Sequence, residues 1–565
     1  MPGLVVPGVR VEARFDILPP LPAASGILGA VGIVDRPPAQ PGLVSVTKVA
    51  EIKDLLGPGT EVSMPQIVEA LANGVSEVLV SAVLGGASAV VDLLNANSQP
   101  AVRLRCRSRG AFGNELSADV RAVLGGDDGK TPVRVTLRLL RAGQVVELFP
   151  DLRILPGAVD DLFQTINASS RYVVALDPGF DGAVPAAGTY SPGNDNTTTI
   201  PRDGSTTPLM QLVVADGASP DGLSVQITLS SDKKTIGMQL FQAGLQESFA
   251  GLVTDPDDDN YLPLVLQTQS RLVRARIDNS LAADARMPKA TDAPVAFHDG
   301  ASPTTQQYAD AIELLGDDTR ADLVLAAIEP KRPRGEVRTI HQALAAHAVK
   351  LADDGAPRIA FGSLAADEKS LGDIREHSAL VRSRRFVLVA PSGAEGAVVG
   401  VIGRLNPQDS PTFKPVPLFG RAPAAFRQGD LNRLLGPTTN LLAVQDRAGH
   451  GVVVLRGLDT TGDQISVTRV ADQAIRETKA ISENFIGELN SEQARTALKQ
   501  QLVATLTRME RAGALVPSTD GKDPAFIVDV YSTQLDFAQG IVRVDIAVRP
   551  VRAVDYIYAT IRVKN

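Results

Sequence analysis

Apolar and polar positions alternate strictly near the end of the chain. In GIVRVDIAVRP, Val542, Val544, Ile546 and Val548 alternate with Arg543, Asp545, Ala547 and Arg549. After Pro550 a second run sets Ile557, Ala559, Ile561 and Val563 on one face, with Tyr556, Tyr558, Thr560, Arg562 and Lys564 on the other. Period-two alternation marks a half-buried strand. The start repeats the pattern, with Val9, Val11, Ala13 and Phe15 alternating with Arg10, Glu12 and Arg14. Chain ends fray unless something ties them down, so both terminal strands need a partner. They either close a sheet within their own chain or add to open sheet edges of neighbouring copies. The pattern leaves both open, and donation is expected.

Between the ends the texture changes twice. ILGAVGIV reads as a short buried strand, Val46 to Leu56 and Pro65 to Ala72 as helices, with Asn73-Gly74 as a C-cap, and Val78 to Val83 as another strand. From about Ala101 to Leu281 strands dominate and turns are rich in Gly and Asp. An internal repeat lies there: RAGQVVELF and SSRYV recur as QAGLQESF and QSRLV, so Glu147 and Ser170-Arg171 return as Glu247 and Ser270-Arg271. Two similar β-rich modules in tandem, joined by a polar, flexible linker (AVPAAGTYSPGNDNTTTIPRDGSTTP), account for this. From about Asp292 α/β alternation resumes. Strands are expected at Leu323 to Ile328, Arg358 to Phe361, Phe386 to Ala390, Val452 to Leu455 and Ile465 to Val467. Helices are expected at Ile340 to Leu351, from Gly396 (small residues, close packing), at Ala471 to Phe485 and at Ser491 to Ala512.

The resulting fold class is an α/β (α+β) multidomain chain. Its α/β core is discontinuous, with terminal exchanged β-strands and two inserted β-rich modules. The expected boundaries are an N-terminal arm at 1–20, first core part 21–100, module one 101–200, module two 201–290, second core part 291–535 and C-terminal strands 536–565. At 565 residues several domains are needed.

Composition narrows function mostly by exclusion. Aromatics are 4% with no Trp, which argues against stacking surfaces for single-stranded nucleic acid. A net charge of −8 gives no global attraction to DNA or anionic lipid. Neither nucleic acid nor membrane insertion is therefore expected. Cys106 is the single cysteine, so no internal disulfide forms. MPGLVVPGVRVEARF lacks the basic and apolar regions of a signal peptide, so the chain is expected to be made in a reducing cytoplasm.

Catalytic and metal signatures are not found. GGDDGKT, from Gly125 to Thr131, is one residue short of a phosphate loop and reads better as a hairpin turn. No pair among His298, His341, His347, His377 and His450 is spaced i, i+4, so core packing or exposure is preferred to metal binding. Cys106 alternates with Arg105 and Arg107, which favours a buried structural thiol. Asp257-Asp258-Asp259 sits in a turn without the spacing of a calcium loop. No catalytic residue, metal or cofactor is assigned, and the chain is read as not an enzyme.

Several stretches, in order, resemble the tail sheath proteins of contractile phage tails and related injection systems. VPGVRVEARF resembles the family's opening strand, and GILGAVGIVDRPP and EVSMPQIVEALANGVSEVLVSAV resemble the segments that follow. SRGAFGNELSADV and VVELFPDL are similar to the lead-in of the middle domain. FIGELNSEQARTALKQQLVATLTRMERAGAL and DFAQGIVRVDIAVRPVRAVDYIYATIRV are similar to its C-terminal helix and closing strands. Ser81-Ala82 stands where the family often has arginine.

The resemblance implies a structural subunit that polymerises into a helical contractile sheath of stacked rings around a rigid inner tube. Contraction would drive the tube through a cell envelope. Arms of neighbouring copies would complete a sheet, through Val9, Val11, Phe15, Val542, Val544, Ile546, Ile557, Ile561 and Val563. The β modules would face outward. Implied partners are other copies, the inner tube protein, and baseplate and terminator or cap proteins. The implied place is a virion tail or injection particle assembled in bacterial cytoplasm. On the helix from Ser491, Arg495 and Lys499 share a face and are the tube-contact candidates; solvated helix charges are the plainer reading. An α/β enzyme with β accessory domains, or a non-contractile structural subunit, are the competing readings.

Overall fold

The computed structural model describes residues 25–38, 42–125, 131–155, 158–178, 188–192, 196–215, 218–242, 245–277 and 288–555. The α/β alternation produces an eight-stranded sheet in the order Leu43–Val46, Glu77–Ala82, Ile27–Gly32, Leu323–Ala326, Ile359–Ser363, Phe386–Ala390, Leu442–Arg447 and Gly451–Val454. The inner pairs are parallel and the two outermost pairs antiparallel. Helices cover both faces, so the strands read as continuous apolar runs. Leu323 and Leu325 enter one buried cluster with Leu28 and Val387. Val324 and Ala326 enter the other with Ile340 and Leu388. The sheet is thus built from two chain segments on either side of the β-rich region.

The small-residue helix Glu395–Arg404 packs on Pro65–Asn73. A Cβ placed on Gly400 would stand 2.8 Å from Ala70 O, so only glycine permits this approach. The opposite face holds a buried polar chain. His341 Nδ1 lies 2.9 Å from His377 Nε2, His377 Nδ1 lies 2.7 Å from Glu368 Oε2, and Arg338 Nε donates to Glu368 Oε1 at 2.8 Å. It ties the helix Arg334–Asp353 to Leu371–Leu380. These histidines are core residues, as is His347; His298 and His450 are exposed.

Two local expectations fail. Residues expected to open a helix at Val46 end a strand, Leu43–Val46, and the helix is Val49–Leu56. Ile465–Val467 is not a strand but the first turn of Ile465–Glu483. The β-branched, apolar Ile465 and Val467 of that turn suit either state, and the helix also buries Arg469, Asp472 and Glu477.

The repeat folds twice in the same way. In the first copy Val90–Leu94, Pro100–Cys106 and Val173–Leu176 form a three-stranded sheet. Leu116–Gly125, Thr131–Arg141, Gln144–Leu152 and the short Val295–Ala296 form a four-stranded one. In the second, Thr197–Pro201, Pro208–Val214 and Val273–Ile277 match the first sheet. Gly188–Tyr190, Ser224–Leu229, Ile236–Gln242 and Leu245–Leu252 match the second, in the same spatial order. Each copy has its own apolar core.

The arrangement corrects the tandem expectation, because Val295–Ala296 returns to pair with Leu116–Gly125 after the second copy is complete. The second module is nested inside the first. The core also ends earlier than residue 100: Val90–Leu94 pairs with Pro100–Cys106 and belongs to the first module. Gly85 and Gly86, at φ 114° and 72°, mark the break. The expected flexible linker contains two strands, Gly188–Tyr190 and Thr197–Pro201. Its threonines suit strands, and Ile200 and Tyr190 anchor them to the second module's core. Gly125 pairs with Thr131, so the glycine-rich stretch closes a β-hairpin; residues 126–130 lie outside the described ones. Cys106 is buried, and burial pushes its thiol up to about 12.

Candidate assembly interface

The alternating stretch at the chain's end forms the strand Arg543–Val548, antiparallel to Phe526–Tyr531. Val544 lies opposite Val530 and Ile546 opposite Val528. These side chains, with Val542, pack on Leu498, Leu502, Leu506 and Met509 of the helix Glu492–Arg511. The other face carries Arg543, Asp545, Ile527 and Asp529. Thr533 and Asp536 form a capping box on the short helix between the strands. Arg543 reaches back to Asp536, with Nη2 donating to Oδ1 at 2.8 Å and Nε to Oδ2 at 2.9 Å. Those bonds, with that from Thr533, hold the Asp536 carboxyl well below the usual carboxylate range.

Among the described residues this sheet has two strands. Both outer edges therefore carry backbone donors and acceptors without a ladder partner there, the condition for strand addition. Exposed apolar side chains surround it: Ile527, Leu535, Phe537 and Ile541, with Ile486 and Leu489 from the loop between the two long helices. Asn490 Nδ2 holds that loop to Ser532 Oγ at 3.2 Å.

The structure brings Val542, Val544 and Ile546 together on the inner face of the hairpin. Val9, Val11, Phe15, Ile557, Ile561 and Val563 lie outside the described residues. Arg495 does not project freely, since its Nη1 donates to Asn490 Oδ1 at 2.6 Å and to Asn490 O at 3.2 Å. Lys499 is exposed and its Nζ lies 3.3 Å from Asp529 Oδ1. The partner strand Phe526–Tyr531 was not foreseen, although FIVDVY alternates and is followed by the capping pair at Thr533 and Asp536. Beyond the hairpin, Val551 N donates to Ala514 O at 2.9 Å. Arg552 Nη1 donates to Asp463 Oδ1 at 2.8 Å, and Ala553 exchanges two bonds with the Gln464 side chain. The chain is thus anchored on its own subunit as far as Asp555.

Residues 459–564 match the family model of the phage tail sheath C-terminal domain. The chain carries a tail sheath domain. The matched segment takes in both long helices, the hairpin and the anchored run after Pro550. No curated protein matches the chain. Among solved structures, a sheath tail protein from Desulfitobacterium hafniense is similar at 12% identity and TM-score 0.44, over 92% of this chain and 93% of that one. One from Listeria innocua has 11% identity and TM-score 0.44, over 94% and 93%. The helical sheath of the anti-feeding prophage in its contracted state has 17% identity and TM-score 0.35, over 45% of this chain and 74% of that one. The assignment of the sheath domain rests on the family match.

Proposed function

We propose that the chain is the structural subunit of a contractile sheath: it polymerises helically around a rigid inner tube and shortens to drive that tube through a cell envelope. The observation that carries the reading is a two-stranded hairpin, open on both edges among the described residues, within a tail sheath C-terminal domain. Packing on the helix Glu492–Arg511 covers the inner face of this hairpin but leaves its edges without ladder partners among the described residues. Added strands from neighbouring copies supply main-chain hydrogen bonds, and the apolar rim around Phe537 and Leu489 supplies further burial. The donated strands are the terminal arms, through Val9, Val11 and Phe15 and through Ile557, Ile561 and Val563, while Val542, Val544 and Ile546 belong to the receiving hairpin. Addition related by a rotation that does not close builds a helix.

Shortening draws on energy stored in an extended lattice at assembly, with no cofactor and no catalytic step. Lys499 faces the inner tube, with Arg495 bracing the start of its helix. Other copies, the tube protein, and baseplate and terminator proteins are the partners, within a phage tail or injection particle assembled in bacterial cytoplasm. The test is negative-stain electron microscopy of the purified chain, alone and with its tube protein. Hollow helical tubes wide enough for an inner tube are expected. Discrete monomers under both conditions would refute the reading.

A further inference from the structure

One cavity lies apart from the hairpin and its apolar rim. It encloses about 620 Å³ where three parts of the molecule meet. Arg36 and Lys53 come from the α/β core, Arg107 and Asp161 from the first module, and Arg271, Arg274 and Arg276 from the second. Six cationic groups thus line it, against the two carboxylates of Asp54 and Asp161. The volume is that of a small-molecule site.

The cations are not all spent. Arg107 is: its Nε donates to Ser170 O at 2.8 Å and its Nη2 to Asn167 O at 2.5 Å. Arg274 Nη1 donates to Ser270 O at 2.8 Å. Arg36 Nη1 donates to Asp54 O at 3.0 Å, yet its Nε is buried without a hydrogen-bond partner among the described residues. Arg276 lies over the Phe163 ring, 4.5 Å from its centroid, with Nη1 3.6 Å from Asp161 Oδ2; its Nη2 is buried without a partner in the same sense. Burial lowers the Arg36 value most; Arg271 lowers it further, against the opposing charges of Asp35, Asp54 and Glu247. Two residues with an unmet guanidinium donor, one from the core and one from the nested module, therefore line one cavity in which cations outnumber carboxylates, although Asp161 Oδ2 also lacks a hydrogen-bond donor among the described residues.

We propose that this cavity is a binding site for a polyphosphate-type anion, which bridges the core to the nested β module. Guanidinium forks match phosphoryl oxygens, and several in one site select an anion with more than one charged group. The Phe163 ring is already covered by Arg276, so the site offers no free face to a nucleobase. Recognition is of the phosphoryl chain alone. Inorganic triphosphate and the triphosphate of a nucleotide should bind alike, and a monophosphate much more weakly. Bound there, the anion fixes the β modules against the core.

The test is titration of the full chain with inorganic triphosphate, ATP and AMP by calorimetry and thermal melting at matched ionic strength. Lys53 and Arg271 have exposed side chains, so Lys53→Gln and Arg271→Gln should melt as the wild type does without ligand. Each should weaken triphosphate binding about tenfold, the scale of one charged hydrogen bond. Arg276→Gln should abolish it. Three results would each overturn the site: no triphosphate binding by the wild type, a melting shift that sodium chloride reproduces, or unchanged affinity in the Lys53→Gln/Arg271→Gln double variant. A preference for ATP over inorganic triphosphate would overturn the phosphoryl-only recognition.

Discussion

Ser270 Oγ donates a 2.6 Å hydrogen bond to Glu247 Oε2, and Ser170 makes the same bond to Glu147 Oε2 at 2.6 Å. The second carboxylate oxygens match as well, accepting from Arg271 N at 2.9 Å and Arg171 N at 2.8 Å. In each copy the Glu pins the turn after a helix to an edge strand of the larger sheet. Each serine is buried, so losing its hydroxyl leaves a carboxylate short of a donor. Ser270→Ala should cost about 1–3 kcal/mol. Denaturant unfolding checks it, and Ser170→Ala should cost a similar amount. A loss under about 0.5 kcal/mol in both, the scale of an inert surface change, would mean the shared contact is not structural.

The repeat shows which parts of the fold sequence can reveal. Glu147, Ser170 and Arg171 were legible because a side chain that holds backbone in place must recur with its partner. The nesting was not, since Val295–Ala296 is two residues long and its pairing is a backbone matter. Six of the eight core strands were legible as apolar runs; Leu43–Val46 and Leu442–Arg447, which carry polar or half-exposed positions, were not. The helix Ile465–Glu483 was legible from Ala471 onward, but its first turn, with β-branched, apolar Ile465 and Val467, reads as a strand. At the interface, the strand holding Val544 and Ile546 was legible by alternation. The ties of Arg495 and Lys499 depend on side-chain reach, which spacing does not give.

Gly400 should tolerate no side chain. A Cβ there would also stand 2.5 Å from Asn73 Cβ, and the clash lies between two helices with backbone on one side. Gly400→Val should destabilise the core by about 3 kcal/mol or more. Gly429, with open space around it, is the matched control. Equal melting temperatures for Gly400→Val and Gly429→Val would contradict the close packing.

His347 should make the fold acid-sensitive. Burial, with Arg358 and then Lys350 nearby, lowers its imidazole from 6.5 to about 4. Arg358 Nη1 lies 3.2 Å from His347 Nε2, a contact that suits the neutral ring as acceptor. A depressed folded value means that the unfolded chain takes up the proton first. The stabilisation is therefore whole above pH about 6.5 and is lost as pH falls toward about 4. The shift corresponds to on the order of 3 kcal/mol. His347→Gln keeps an acceptor for Arg358 but does not titrate, so its stability should fall less steeply over that range. Parallel pH profiles for the two proteins would rule His347 out as the cause.

Lys499 should matter to assembly more than to folding. Its contact with Asp529 is exposed at both ends, and such pairs contribute about 0–1 kcal/mol. Lys499→Glu should leave the melting temperature nearly unchanged and abolish co-sedimentation with the tube protein. Asp529→Asn, which releases the lysine, should not weaken it. Full tube binding by Lys499→Glu would remove this residue from the tube face.

The anchored run after the hairpin determines where the C-terminal arm has to be cut. Val551 to Asp555 bond to Ala514, Asp463, Gln464 and Arg456 of their own subunit. A deletion from Val551 therefore mixes lost anchoring with lost donation. Deletion of residues 556–565 removes Ile557, Ile561 and Val563 and spares those contacts. If these residues are the donated strand, the shortened chain keeps the melting temperature of the full one and forms no tubes. Supplying the missing strand as a peptide should restore pairing at the open edge of Arg543–Val548, with backbone amides there gaining protection from hydrogen exchange. Normal tubes from the shortened chain would instead assign lattice cohesion to the N-terminal arm and the apolar rim around Phe537.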